Sequence, residues 1–456
     1  MNRDSFKVDG GSFRDRGGFV FKYKNDIYRQ INHSAKDDFD FLISSGLCRY
    51  LQENKMLVEH EEIELGGGGY KTIKPKKIDF ISYPYEWSFS QIKDAALLTL
   101  EIQQIALEHG MSLKDASAYN IQFQAGRPIF IDTLSFEKIK ENSPWVAYRQ
   151  FCQHFLAPLL LISGVDIRLS SLMSSYIDGI PLDMASSILP FSKKIKPSVF
   201  IHIYLHAKSQ KAFSQKKISS QRKFSLTSQK AILDSLKTLI LKTQLKKDKT
   251  EWGEYYTFTN YKEESFKEKK DLVSSFIDQT SPKRVLDLGA NDGTFSRLSS
   301  EKGIFTVSSD IDLVAVEKNY LNLKEKKEKN ILPLFLDLFN PNPSIGWGNE
   351  ERKSFLERAN FDLIISLALI HHLSITNHLP FSKIADLFSR KSRFLIIEFV
   401  PIGDSNADKL VQNRGDDLSW YNEDNFIKEF SKHYTVVKKA KINNTKRTLY
   451  LMKSNE

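Results

Sequence analysis

The chain has 456 residues, of which 41% are hydrophobic and 27% are charged. This length exceeds one ordinary hydrophobic core and this apolar content excludes a disordered chain, so two or three domains are expected. Lysine and arginine total 66 against 56 aspartate and glutamate. The excess is concentrated in residues 192–250, where fifteen basic side chains and two acids give a local balance of +13. The rest of the chain is therefore slightly acidic.

The cysteines Cys48 and Cys152 are too few for a disulfide framework, which favours a reducing compartment. The first residues, MNRDSFKVDGGSFRDRGG, lack the apolar core of a signal peptide. The longest apolar run, Phe155 to Val165, is too short to span a bilayer and predicts a buried helix. We therefore expect a cytoplasmic protein with no membrane partner.

The first half begins with strand-like residues and continues with helices. FVFKYKNDIYRQI contains two alternating runs broken at Lys24-Asn25-Asp26, which predicts a hairpin. Helices are predicted over 37–53 and 88–110, the second ending on Gly110 as its cap. The glycines at 66–69 are not followed by Lys-Ser or Lys-Thr, so they indicate a turn rather than a phosphate loop.

After residue 250, strands and helices alternate regularly. Strands are predicted at 284–289, 304–310, 331–337, 361–367 and 393–400. This alternation is typical of an α/β fold in which a parallel sheet carries helices on both faces. The final stretch, TVVKKAKI, NNTK, RTLYLMK, predicts two further strands. We therefore expect a doubly wound, seven-stranded, Rossmann-like sheet with an antiparallel last strand.

The most informative string is RVLDLGANDGTF, from Arg284 to Phe295. A strand that ends in Asp287 is followed by Gly289 and Gly293, which allow a sharp turn and the close approach of a ligand. A dinucleotide fingerprint would need glycine at 291 and 294, where Asn and Thr stand. Asn291 instead suits the middle of acid-x-G-x-G-x-G, because asparagine tolerates left-handed backbone angles. The string resembles class I S-adenosylmethionine-dependent methyltransferases.

This resemblance implies S-adenosylmethionine as the cofactor and extends to the next strand ends. Asp310 ends the second strand, where a carboxylate accepts both ribose hydroxyls; Asp312 is the alternative. Asp337 ends the third strand, where the resemblance implies contact with the adenine amino group. The residues implied to bind the cofactor are Asp287, Gly289, Ala290, Asn291, Gly293, Asp310, Asp337, Leu338 and Ser366.

Each of these acids also has a purely structural interpretation. Asp287 can cap the helix that follows it, Asp310 can be a solvated strand end, and Asp337 can start a turn before Pro341. Three successive strand ends that carry acids beside a matching glycine loop favour the binding site.

Methyl transfer is an in-line displacement, so a base is needed only where the acceptor must lose a proton. His371 and His372 follow the fourth strand, FDLIISLALIHHL, and an imidazole that titrates near neutrality can remove a proton. The catalytic candidates are His371 and, at the end of the fifth strand, Glu398. The absence of an Asn-Pro-Pro-Tyr type motif favours an oxygen acceptor. No metal site is predicted.

The strings PSIGWGNEER, ALIHHL, IIEFVPIGD and RTLYLM resemble a bacterial methyltransferase family that includes host-specificity nodulation proteins. In that family, helices precede the first strand and close over the methionine end of the donor, as Trp252, Tyr256, Asn260 and Tyr261 would here. The stretch DSNADKLVQNRGDDLSWYNEDNF departs from the family. The resemblance therefore does not fix the acceptor.

In the first half, KDASAYNIQF and RPIFIDTLSF place Asp115, Asn120 and Asp132 at the spacing of a catalytic loop and a metal-binding aspartate. They resemble protein-kinase-like and aminoglycoside-phosphotransferase-like folds, which transfer phosphoryl groups with magnesium. Thr133-Leu134 replaces the usual Phe-Gly, and Lys22 or Arg29 would have to stand in for the missing lysine. We therefore expect a degenerate kinase-like domain that presents the acceptor or covers the methyltransferase.

The predicted domains are a kinase-like α+β domain over 1–190, a basic helical segment or linker over 191–250, and the methyltransferase over 251–456. The leading function is methyl transfer to a small-molecule or glycan acceptor. RNA methylation is the alternative, because lysines at 192–250 can neutralise phosphates; aromatic residues are sparse there, so nucleic acid is not favoured. A non-catalytic, pseudokinase-like scaffold is the third possibility.

Overall fold

The structure is a computed structural model that describes residues 6–24, 26–65, 68–140, 142–205, 225–245, 263–412 and 417–455. The chain forms two compact units. The first comprises Met1–Lys247 with Ser344–Lys353, and the second comprises Asp248–Pro343 with Ser354–Glu456. These units differ from the predicted domains in two places: the described part of the basic tract and ten residues from the second half both belong to the first unit.

The first unit begins with an antiparallel sheet of five strands in the order β1-β2-β3-β5-β4. These strands are β1 (Lys7–Val8), β2 (Gly18–Tyr23), β3 (Asp26–Ile31), β4 (His60–Ile63) and β5 (Lys71–Pro75). β2 and β3 pair directly, as the hairpin prediction required. Ile31 and Ile73 of the sheet share one buried cluster with Phe39 and Leu134.

Two helices, Lys36–Ser44 and Leu47–Glu53, connect β3 to β4 where the sequence predicted one. Gly46 separates them, since its φ of +77° cannot continue a right-handed helix. The next helix, Phe89–Glu108, matches the predicted range of 88–110 within two residues, and Gly110 follows it at a φ of +73°.

Four short strands follow this helix: β6 (Met111–Leu113), β7 (Ile121–Gln124), β8 (Arg127–Phe130) and β9 (Phe136–Lys138). β6 pairs with β9, and β7 pairs with β8. The loops at 114–120 and 131–135 therefore run side by side, and the Ile131 amide donates to the Asn120 carbonyl at 2.8 Å.

The remaining helices of the first unit are Tyr148–Phe151, Cys152–Leu156 (π), Ala157–Gly164, Leu172–Ser175, Leu182–Ile188, Phe191–Lys194, Pro197–Val199, Phe200–Leu205 (π) and Leu226–Lys242. Every residue of Ala157–Gly164 is buried, as predicted for this apolar run. Leu226–Lys242 packs along the helix Phe89–Glu108, with the Gln104 amide donating to Asp234 Oδ1 at 2.9 Å. No helix in the described ranges combines the length and the apolar character needed to cross a bilayer.

Residues Ser344–Lys353, here called the strap, pack within the first unit although the sequence assigned them to the second domain. The Glu351 side chain is 1% exposed and accepts a hydrogen bond from Arg14 Nε at 2.6 Å. The Arg352 guanidinium lies over the Tyr119 ring, 4.6 Å from its centroid. An ion pair between half-exposed Arg14 and buried Glu351, together with a cation–π contact, thus holds the strap in place.

The second unit is built on a seven-stranded sheet in the order β12-β11-β10-β13-β14-β16-β15. Its strands are β10 (Arg284–Leu288), β11 (Phe305–Asp310), β12 (Ile331–Phe335), β13 (Phe361–Ser366), β14 (Ser392–Phe399), β15 (Tyr434–Lys441) and β16 (Thr448–Ser454). β10 to β14 are parallel, and β16 runs antiparallel to β14 and β15. The ends of the five parallel strands fall within two residues of the predicted ends.

The helices of the second unit are Glu263–Thr280, Arg297–Ser300, Leu313–Lys326, Phe355–Arg358, His372–Thr376 (π), Phe381–Ser389, Ser405–Val411 and Glu423–Phe430. In the core, Val273 and Ile277 of the first of these helices share a buried cluster with Val285 and Leu363 of the sheet. Trp252, Tyr256, Asn260 and Tyr261, predicted to precede the first strand, lie outside the described residues.

The strand order reverses at β10, because β11 and β12 lie on one side of it and β13 and β14 lie on the other. In open α/β sheets a crevice forms beyond the carboxyl ends of the strands at such a point. The glycine loop begins there, directly after β10.

Candidate functional site

The glycine loop turns through left-handed backbone angles at three residues. Gly289 has a φ of +71°, Asn291 of +50° and Gly293 of +78°. The left-handed conformation predicted for Asn291 is therefore present. The Gly289 and Ala290 amides both donate to the Ser309 carbonyl, at 2.9 and 3.0 Å, which ties the loop to β11.

The two glycines have different roles. A Cβ at Gly289 would lie 3.4 Å from Leu369 Cδ1, a close but tolerable approach. A Cβ at Gly293 would lie 2.5 Å from Asn319 Oδ1, which is impossible without a shift. Gly293 does not line the cavity described below. It lets Asn319 approach the loop, and its contact with the cofactor stays a prediction.

A cavity of about 370 Å³ opens beyond the carboxyl ends of β10, β11 and β13. Of the predicted cofactor residues, Asp287, Gly289, Ala290, Asn291, Asp310, Asp337 and Leu338 line it. Its remaining lining residues are Phe266, Lys269, Leu288, Phe295, Ser309, Ile311, Leu336, Phe339, Leu367, Ala368, Leu369, His372, Leu373, Thr376 and Asn377. Acids therefore sit at intervals around a mainly apolar pocket.

Asp287 lies at the buried base of this cavity, where it is 2% exposed. Its Oδ2 accepts a hydrogen bond from the Ser296 hydroxyl at 2.6 Å. Burial raises the pKa of Asp287 to about 7, although the Ser296 hydrogen bond acts in the opposite direction. The side chain therefore titrates near neutral pH.

Asp310 ends β11 and uses both carboxylate oxygens to fix the backbone. Oδ2 accepts from the Asn291 amide at 2.7 Å, and Oδ1 accepts from the Asp312 amide at 2.8 Å. Burial raises the pKa of Asp310 to about 6, against the lowering effect of these amides. The Ile311 amide acts in the same direction, and a carboxylate with four acceptor positions keeps capacity for a ligand. Asp312, the alternative, instead caps the helix Leu313–Lys326 by accepting from the Val314 amide at 2.8 Å.

Asp337 lies two residues beyond the end of β12, which stops at Phe335. Asp337 Oδ1 accepts from the Phe339 amide at 2.9 Å, so the turn expected as its structural interpretation is present. The residue also lines the cavity, together with Leu338 and Phe339. One side chain therefore serves both the turn and the pocket wall.

Ser366 ends β13 and is fully buried. It lies outside the residues that line the cavity, and its hydroxyl has no hydrogen-bond partner among the described residues. The predicted contact of Ser366 with the cofactor therefore has no support from the cavity.

The two histidines after β13 differ in their access to the cavity. His372 lines it, whereas His371 is 1% exposed and lies outside the lining. Both ring nitrogens of His371 lack a hydrogen-bond partner among the described residues. Burial lowers the pKa of His371 and lowers that of His372 to about 4. His372 is thus the imidazole that reaches the cavity, and the catalytic role of His371 stays a prediction.

Glu398 does not face the cavity, contrary to its predicted catalytic place, because it belongs to a buried chain of alternating charges. Lys269 Nζ donates to Glu398 Oε2 at 2.6 Å, and Arg447 Nη1 lies 3.6 Å from Glu398 Oε1. Arg447 also pairs through Nε with Asp404 Oδ2 at 2.8 Å. Buried charges require such pairing.

Lys269 is the site residue that the sequence analysis missed. It lines the cavity from the helix Glu263–Thr280, is 3% exposed, and lies 4.9 Å from the centroid of the Phe295 ring. Burial lowers its pKa, and the charge of Glu398 acts in the opposite direction. The helical spacing of residues does not show whether a lysine is buried or solvated. No feature of the sequence therefore marked Lys269 as part of the site.

In the first unit, the structure brings Asp115, Asn120 and Asp132 together. The Ser135 hydroxyl donates to Asp132 Oδ2 at 2.8 Å and accepts from Asn120 Nδ2 at 3.2 Å. Burial and the charge of Asp132 raise the pKa of Asp115. Arg29 on β3 pairs with Asp132 Oδ1 at 2.7 Å. In the described ranges, no group of histidine, cysteine and acidic side chains is arranged to hold a metal.

The order of the sheet, the left-handed loop and the acids at successive strand ends define the second unit as a class I S-adenosylmethionine-dependent methyltransferase. No known protein-family profile matches the chain. The chain is 34% identical over 460 residues to nodulation protein NoeA of Rhizobium meliloti (strain 1021), covering 98% of this chain and 96% of that protein. The chain therefore belongs to the NoeA family of nodulation proteins.

Several solved structures are similar to part of the chain. The bifunctional kinase-methyltransferase WbdD is 17% identical over 41% of this chain and 39% of its own, with a TM-score of 0.31. The N-methyltransferase NodS of Bradyrhizobium japonicum WM9 is 12% identical over 42% of this chain and 97% of its own, with a TM-score of 0.31. At these TM-scores, the class of the second unit rests on its own topology and loop.

S-adenosylmethionine is the cofactor of this class, and the residues of the site fit it. The loop backbone approaches the cavity closely at Gly289, with carboxylates at Asp310 and Asp337 for hydroxyl and amino groups. Leu338 and Phe339 supply apolar surface for a ring, and Lys269 supplies a cation beside the glycine loop. The cavity lining therefore includes acids, apolar surface and a cation of the kinds that the cofactor would need.

We expect donor binding to strengthen as the pH rises through about 6 to about 7, the pKa values of Asp310 and Asp287. Ionised carboxylates accept stronger hydrogen bonds from ribose hydroxyls than protonated ones do, and they attract an ammonium group, so protonation weakens binding by up to about tenfold per pH unit. Calorimetric titration with S-adenosylhomocysteine from about pH 5 to about pH 8 measures this. Asp310→Asn should remove the inflection near pH 6, and an affinity independent of pH would contradict the assignment.

Proposed function

We propose that the protein transfers a methyl group from S-adenosylmethionine to an oxygen of a small-molecule or glycan acceptor. The observation that carries this proposal is one cavity that combines the glycine loop and Asp310 with the polar side chains of His372, Thr376 and Asn377. S-adenosylmethionine supplies a methyl group made electrophilic by its sulfonium. The chain has to hold that group in line with the acceptor and exclude water.

The acids support specific contacts with the donor. Asp310 would accept the ribose hydroxyls through its remaining lone pairs, and Asp337 with Leu338 would meet the adenine. Asp287 and Lys269 would bind the ammonium and carboxylate groups of the methionine end. A cation and an anion that line one cavity beside the glycine loop match an amino-acid zwitterion.

Lys269→Met should therefore weaken binding of S-adenosylhomocysteine by about tenfold or more, since it removes a charged hydrogen bond to the carboxylate. Binding of methylthioadenosine, which lacks the amino-acid group, should change little. Calorimetry with both ligands separates the two effects. Lys267→Met, on the exposed side of the same helix, is the matched control. Equal losses for the two ligands would count against the carboxylate contact.

His372 is the proposed base for the acceptor. It lines the cavity, and burial lowers its pKa to about 4, below the near-neutral value expected from the sequence. The ring is therefore unprotonated at pH 7 and would act as a weak base that takes the proton of the hydroxyl as the hydroxyl attacks. His371 lies behind it, with ring centroids 4.2 Å apart, and would fix the orientation of the His372 ring by packing.

The function is tested by supplying cell extract and methyl-labelled donor to the purified protein and searching for labelled products by mass spectrometry. We expect a labelled small molecule or glycan, no product with Asp310→Ala, and a loss of about a hundredfold in turnover with His372→Gln while donor binding is kept. Label found only in RNA would refute the acceptor class. Donor binding without product from any extract would favour the scaffold.

We also propose that residues 1–190, within the first unit, form a degenerate kinase-like domain. Its five-stranded sheet, its long helix Phe89–Glu108 and the loops that carry Asp115, Asn120 and Asp132 follow the chain order of such folds. Arg29 pairs with both Asp132 and Asp15, the latter at 2.6 Å. A guanidinium thus neutralises the aspartate that would otherwise hold magnesium.

Buried, unpaired Cys48 and Cys152 support a cytoplasmic location for the whole protein.

Magnesium with ATP should leave the melting temperature of the protein unchanged, because Arg29 occupies the carboxylate that the metal needs. Arg29→Met should allow divalent manganese to raise the melting temperature, whereas Arg49→Met, which removes an exposed arginine of the same unit, should not. If magnesium with ATP stabilised the unaltered protein, the proposal that Arg29 takes the place of the metal at Asp132 would be refuted.

A further inference from the structure

Five large apolar side chains between residues 191 and 205 are exposed to solvent. Phe191 is 78% exposed, Ile195 61%, Ile201 51%, Leu205 45% and Phe200 39%. We call these five residues the apolar face. Single exposed apolar residues are ordinary, but a run of them along consecutive short helices marks an interaction surface.

The spacing of the apolar face places its members next to one another. Phe191 and Ile195 are four residues apart, as are Ile201 and Leu205, so each pair spans about one helical turn. The Phe200 ring stacks on Tyr204 with centroids 5.0 Å apart.

The opposite side of the same segment is anchored in the first unit. Val199, His202 and Ile203 are at most 2% exposed. The two ring nitrogens of His202 lie 2.7 Å from the Tyr148 hydroxyl and 2.9 Å from the Ser235 hydroxyl. The apolar face is therefore presented outward by a segment whose other side is packed and hydrogen-bonded.

Positive charge accompanies the apolar face. Lys193 and Lys194 lie between Phe191 and Ile195 in the sequence, and Lys196 follows Ile195. From residue 184 to residue 205 these three lysines are the charged side chains, and the stretch contains no acid. A partner that matches this face needs an apolar layer for the five side chains and anionic groups for the lysines. The headgroup region of an acidic phospholipid layer provides both.

We propose that the apolar face and its lysines bind the first unit to the surface of anionic phospholipid membranes. All five members, the aliphatic Ile195, Ile201 and Leu205 included, gain from burial among acyl chains, whereas stacking on RNA would use only the two phenylalanine rings. A second copy of the chain would oppose like charges across the contact. The sequence predicted no membrane partner because no apolar run can span a bilayer, but surface binding needs no spanning run.

The test is flotation of the full chain with vesicles. Binding is expected to vesicles of phosphatidylcholine with about a third phosphatidylglycerol, with at least about tenfold less binding to pure phosphatidylcholine and a decline as salt rises. Phe191→Ser with Ile195→Ser should reduce binding to the acidic vesicles by at least about tenfold without lowering the melting temperature.

The matched control is Phe13→Ser with Val146→Ser, which removes two apolar side chains of the same unit that are 59% and 61% exposed. It should bind vesicles as the unaltered protein does. The proposal is overturned by equal binding of the two double variants, by equal binding to neutral and acidic vesicles, by binding to RNA and not to vesicles, or by a dimer that Phe191→Ser with Ile195→Ser abolishes.

Discussion

The hydrogen bond from the Asn291 amide to Asp310 Oδ2, 2.7 Å long, joins the ends of two adjacent strands and sets the geometry of the whole site. Asn291 adopts a left-handed conformation in the turn that brings its amide to β11. The cavity then opens between this junction and β13. The same bond keeps Asp310 partly ionised, since an amide donor offsets the cost of burying a carboxylate.

A chain of ion pairs continues from the site into the core through Lys269, Glu398, Arg447 and Asp404. They connect the helix before the sheet, the end of β14 and the start of β16, which are far apart in the sequence. Removing one member would leave a neighbour buried without a counter-charge, a larger penalty than the loss of a surface pair. Lys269 is the member that also reaches the cavity, so the stability of the core and the polarity of the site share one side chain.

The regular half of the fold could be predicted because its signals are local. Parallel strands such as β12 and β13 are largely apolar runs, and the residues at 289, 291 and 293 favour one kind of turn. Asp287, Asp310 and Asp337 followed from the same logic, since strand ends meet at one edge. Glu398 also ends a strand, yet its partner Arg447 lies 49 positions away in the sequence, and no local pattern reveals such a pair. Likewise, hydropathy alone does not show which of His371 and His372 lines the cavity, or that Phe191 and Ile195 are exposed.

The strap has a consequence for the order of biosynthesis. The Arg14 side chain finds its buried partner, Glu351, only after more than three hundred further residues have been translated. The amino-terminal unit therefore cannot complete itself on the ribosome before β10, β11 and β12 have emerged, in contrast to chains whose domains mature one after another. Truncation between the two halves would likewise remove an internal component from the earlier unit, so this polypeptide matures as one piece or leaves its first unit unfinished.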